Sequence, residues 1–120
     1  MADIFTQAGE EIVTDIMDET VATPLDWYVG WGTGAGTAAK GDTTLFTEAA
    51  EARVIGTASQ PAVDQNQWVA TITSASGQTI TNGGLLSASS GGTLLIHGDF
   101  TGIVLANGDK IEFTITLLWS

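Results

Sequence analysis

Apolar and polar residues alternate along much of this chain. Between residues 67 and 74, Trp68, Ala70 and Ile72 share one face. Between 110 and 119, Ile111, Phe113, Ile115 and Leu117 share one face, and Glu112, Thr114 and Thr116 the other. Successive strand side chains point to opposite sides, so both segments are predicted strands with one buried face. Trp27-Tyr28-Val29-Gly30-Trp31 gives another, with Trp27, Val29 and Trp31 together. Shorter strands are predicted at 53–59 (ended by Pro61), 78–81, 93–100 and 102–105. Asn82-Gly83-Gly84 is a turn or bulge signal, and Ser89-Ser90-Gly91-Gly92 and Ala106-Asn107-Gly108-Asp109 are turn signals. Residues 45–52 fit no period, and Thr47-Glu48-Ala49-Ala50-Glu51 is compatible with one helical turn. Strands at roughly ten-residue spacing, without sustained βα alternation, predict an all-β fold. The expected architecture is a single antiparallel β-sandwich over 26–120, with jelly-roll-like and immunoglobulin-like orders both open.

The first 25 residues follow a different period. Ile12, Val13, Ile16 and Met17 recur at helical spacing and predict a helix of about three turns. Thr20 to Thr23 would end it ahead of Pro24. Asp18 and Glu19 at its C-terminal end oppose the helix dipole, so an extended acidic arm is the competing reading. The Gly-rich stretch 32–41 reads as a mobile loop.

Composition narrows the function classes. The chain has 120 residues, the size of one domain that can bury a core unaided. It has no cysteine, which excludes disulfides and cysteine-bound zinc. Fourteen acids face three bases, Lys40, Arg53 and Lys110, for a net charge of −11. Phosphate backbones and anionic membranes are held by Lys and Arg, so neither nucleic acid nor membrane is an expected partner. The acidic start lacks a basic segment followed by an apolar stretch and does not read as a signal peptide. Only 14% of residues are charged while 43% are hydrophobic, which argues against disorder. So neutral a surface suits a subunit packed against neighbours.

Catalytic and ligand motifs are weak. The single histidine, His97, lies in a predicted strand with Asp99 on the same face, and a half-buried strand histidine is the expected reading. The Gly-rich stretch fails the P-loop pattern, because Lys40 is followed by Gly41 and Asp42. It also fails the dinucleotide fingerprint, where Ala35 stands at the third glycine position. Three Gly-Asp pairs, ending at Asp42, Asp99 and Asp109, match no calcium-loop spacing. Glu10-Glu11, Asp18-Glu19 and the Glu48/Glu51 pair lie in stretches that read as solvated. Neither enzyme activity, cofactor nor metal is expected. The four Trp are candidates for a sugar platform or, better, for core and interface.

Four stretches carry a family resemblance. They are Tyr28-Val29-Gly30-Trp31-Gly32-Thr33-Gly34; Gly41-Asp42-Thr43-Thr44-Leu45 with Glu51-Ala52-Arg53-Val54; Thr79 to Leu86 leading into Ser90-Gly91-Gly92-Thr93-Leu94; and Ile103 to Thr114. In this order and spacing the sequence resembles small virion proteins of tailed bacteriophages. The resemblance implies a β-sandwich structural protein. The preferred role is a capsid decoration, or cement, protein on the outer capsid surface, made in the host cytoplasm. Its expected partners are the major capsid protein and copies of itself, as a trimer or dimer over the joints between capsomers. A tail or tail-fibre accessory or receptor-binding module is the alternative, and a carbohydrate-binding domain the second alternative. The candidate interface residues are Ile12, Ile16, Trp27, Trp31, Trp68 and Trp119.

Overall fold

A computed structural model describes residues 2–18 and 26–119. Eight strands and one helix follow in the order β1 (Ala2–Phe5), α1 (Gln7–Met17), β2 (Tyr28–Gly32), β3 (Val54–Ile55), β4 (Thr57–Ala62), β5 (Gln65–Thr73), β6 (Gln78–Leu86), β7 (Leu94–Leu105) and β8 (Lys110–Leu118). They form a five-stranded sheet, β1-β7-β6-β2-β3, and a three-stranded sheet, β4-β5-β8. Every pairing is antiparallel. The inward residues of both sheets meet in one core: Val29, Trp31, Ile80, Leu85, Leu95, Ile96 and Leu105 from the first, Trp68, Ala70, Ile72, Phe113 and Ile115 from the second. The fold is therefore the β-sandwich that the alternation predicts, with one short helix.

The period-two faces of β5 and β8 are as expected. These strands pair in unbroken register from Gln65 opposite Leu118 to Thr73 opposite Lys110. The helix is present as well. Thr6 caps it, its side-chain oxygen accepting from the Gly9 N–H at 2.9 Å. Ile12 and Val13 pack against the sandwich core. The expected end at residues 20–23 lies outside the described residues.

Elsewhere the structure departs from the sequence reading. Of the two readings of Asn82-Gly83-Gly84, the turn does not form, while the register of β6 against β7 does shift between Ile80 and Asn82, as a bulge would make it. The three residues are the middle of β6, paired to β2 on one side and β7 on the other. Close approach demands the glycine: a Cβ on Gly83 would stand 2.8 Å from the Phe113 ring. The two predicted strands at 93–100 and 102–105 are one long strand, β7, with register shifts against β6. The predicted strand at 53–59 is split. β3 belongs to the first sheet, β4 to the second, and the chain changes sheets at the buried Gly56. Pro61 does not end the second piece. β4 runs through it as an edge strand, where a missing N–H is tolerated, with a register shift between Ser59 and Ala62. Residues 45–52 form turns and one isolated bridge, Gly32 to Glu48, with no helical turn. β1 was not foreseen; it adds to the edge of β7.

Candidate functional site

Between β2 and β3 the chain runs through a long Gly-rich loop, residues 33–53, over the face of the first sheet opposite the core, where Leu45 packs on Leu86 and Leu94. Buried side chains of β6 and β7 hold it. Asn82 on β6 is fully buried; its carbonyl oxygen accepts from the Phe46 N–H and its amide donates to the Phe46 carbonyl, both at 3.0 Å. Those two bonds fix the orientation of the amide. His97 on β7 is fully buried beside it. Its Nε2 lies 3.0 Å from the Asn82 carbonyl oxygen and its Nδ1 lies 2.7 Å from the Asp42 carboxylate. Both ring nitrogens thus face side-chain oxygens. The Phe46 ring packs edge-on against the imidazole at 4.6 Å. Asp99, the acid that sequence spacing offered to His97, instead accepts from the Ala38 N–H at 2.8 Å. Thr81 donates to the Gly34 carbonyl. The stretch read as mobile, 32–41, is tied at Gly34 and Ala38, and the chain just after it at Asp42 and Phe46. A fully buried ring with both nitrogens engaged has no free position to present to a substrate.

Two more side chains tie the loop to the segments at either end of β6. The Arg53 guanidinium forms a bidentate pair with Glu48 at 2.7 and 2.8 Å and donates to the Ala88 and Gly91 carbonyls. It clamps the β6–β7 connection to the loop. Glu51 accepts from the Trp31 indole at 3.1 Å, the Ala75 N–H at 2.9 Å and the Gln78 amide at 2.7 Å. Burial by itself pushes the Glu51 carboxyl up, but these hydrogen bonds outweigh it and hold the group below its ordinary value. Glu48 is exposed as the sequence suggested, yet both it and the half-buried Glu51 are partnered.

The surface has a different character. Lys40 pairs with Glu10 at 2.6 Å, and Arg53 is spent internally, which leaves Lys110 as the one base outside an ion pair among the described residues. Apolar side chains lie exposed at Met17, Val63, Ile103, Val104, Leu118 and Trp119. A groove of about 590 Å³ opens between β7 and β8, lined by Phe100, Ile103, Ile111 and Phe113. A second, of about 310 Å³, lies between α1 and the end of β8, lined by Phe5, Val13, Leu117 and Trp119. No group of His, Cys, Asp or Glu that could hold a metal ion occurs among the described residues.

The six candidate interface residues divide. Trp31, 1% exposed, and Trp68, 7% exposed, take the core role. They offer no face for a sugar platform. Trp27, Ile12 and Ile16 are half-buried. Trp119, 44% exposed, packs edge-on against Phe5 and donates from its indole to Asn66 at 2.8 Å. It is the one indole of the four with a large free surface.

Residues 5–118 match the family model described as Podophage GP4 fiber I protein gp80. The chain belongs to that family. No curated protein matches it. Membership of the gp80 family supports a phage structural, fibre-like protein and a place in the virion. It favours the fibre alternative over the capsid-cement role expected from the sequence. The residues that lock the loop of this gp80-family chain, Asp42, Asn82, Thr81, Glu51 and Arg53, escaped sequence reading. Their one signal was scarcity: a lone histidine in an apolar strand and an Arg among few bases are side chains that burial obliges to find partners.

Proposed function

We propose that this chain is a non-enzymatic structural module of a tail-attached fibre. The match to the fibre family over residues 5–118 carries this reading. The site geometry supports it. The most polar buried cluster is spent on holding a loop still, and the exposed apolar residues lie on edges and grooves suited to protein contacts. Its partners are other virion proteins at the fibre's attachment, in place of capsomer joints.

Gold labelling and quantitative protein analysis of purified virions test this. A fibre component labels the tail region and is present in few copies per particle. A cement protein covers the capsid in hundreds of copies, and that pattern would overturn the proposal.

A further inference from the structure

The two sheets have four edge strands, and three of them are blunted. β3 has two residues, β1 has four, and β4 carries Pro61 and a register shift. These are common devices against edge-to-edge pairing. β8 has none of them. Its nine residues pair with β5 in unbroken register, and no other described strand pairs with its outer side. It contains neither Gly nor Pro, and from Phe113 to Leu118 it carries no charge. Beside it, the last part of β7 is open too, since β1 pairs only with Ile96 to Asp99. The groove between β7 and β8, lined by Phe100, Ile103, Ile111 and Phe113, lies at this double opening.

We infer that the outer edge of β8 pairs antiparallel with β8 of a second copy of this chain, about a two-fold axis at Thr114. Charge selects the occupant. A chain of net charge −11 repels its copies over most of its surface. β8 has a single acid, Glu112, on the same face as Lys110. Thr114 is the midpoint of Lys110–Leu118, so the two-fold centred there uses the whole strand. In that register Lys110 faces Leu118, Glu112 faces Thr116, and Thr114 faces itself. No acid stands opposite or diagonal to an acid. Moving the axis to Glu112 would shorten the ladder and set Glu112 against Glu112. The same register sets the partly exposed Leu117 of the second copy opposite Ile111, beside the groove. The contact is isologous, so each copy meets the other in the same way. The product is one continuous six-stranded sheet.

The chain lacks cysteine, so a single introduced one reports position directly. Opposed residues of an antiparallel pair have Cα atoms roughly 4.5–5.5 Å apart, within disulfide range. Thr114→Cys in the full chain is expected to form a disulfide-linked dimer under mild oxidation. Thr71→Cys lies on the exposed face one strand inward and is expected to stay largely uncrosslinked. By sedimentation the unmodified chain is expected to be a dimer. Thr114→Lys, which sets like charges across the axis, should weaken that dimer by roughly two- to fivefold without changing the circular dichroism of the chain. A monomer at high micromolar concentration would overturn the inference. So would a trimer, or a Thr114→Cys chain that crosslinks no faster than Thr71→Cys. None of these results bears on whether the virion carries the chain on its tail or its capsid.

Discussion

Glu51 joins three separate parts of the chain through one carboxylate: β2 at Trp31, the β5–β6 turn at Ala75, and β6 at Gln78. Because its folded-state carboxyl is held below the ordinary value, the folded chain takes up this proton less readily than the unfolded chain. The stabilisation is fully present above the ordinary carboxylate range and is lost as pH falls through the lowered folded value. Urea unfolding of Glu51→Gln is expected to show a deficit against the parent at neutral pH. That deficit should shrink as both are acidified. Asn82 offers a second test. Asn82→Ala leaves both polar groups of Phe46 and Nε2 of His97 without partners in a buried place. The expected cost is about 3 kcal/mol in chemical denaturation. Sequence placed His97 half-buried in a strand; that it is fully buried and meets Asp42 was not legible, because Asp42 stands 55 positions away and no local period links them.

Helix α1 is held against β7 by a contact that permits only glycine. A Cβ on Gly9 would lie 2.6 Å from the Leu95 carbonyl oxygen and 2.8 Å from its Cα. Gly9→Ala gains up to about 1 kcal/mol in helix propensity, but overpacking against backbone costs about 1–3 kcal/mol. The variant is expected to melt at lower temperature and to exchange the amides of α1 faster, read by hydrogen–deuterium exchange. The helix itself was legible, since Ile12, Val13 and Ile16 repeat with its period. Its docking was not, because it depends on a backbone bulge far along the chain. At β6 the local signal allowed a turn or a bulge, and only the bulge fits the register shift between Ile80 and Asn82. Asn-Gly-Gly is turn chemistry in isolation, and the Phe113 ring packed over Gly83 is a tertiary fact. The 53–62 stretch had the right strand character but gave no sign that Gly56 would pass it between sheets.

Over the whole molecule the acids outnumber the bases fourteen to three, and two of the bases are committed to ion pairs with Glu10 and Glu48. The remaining charge repels itself across a domain of 26 × 26 × 44 Å. Salt screens such repulsion, with a Debye length near 30 Å at about 0.01 M and about 8 Å at 0.15 M. Thermal unfolding in that range should shift upward by roughly 2–5 °C with added sodium chloride, followed by circular dichroism. The fold class came through from strand periodicity and turn spacing. The strand order did not, because it rests on pairings between distant segments. One of these governs the order of folding events. β1 lies beside β7, and Thr6 bonds to a residue 89 positions later. Closing so long a span is entropically costly and gains little until β6 and β7 have joined. The N-terminal strand and helix should therefore dock late, after the rate-limiting barrier. Gly9→Ala would then leave the refolding rate nearly unchanged and act by speeding unfolding.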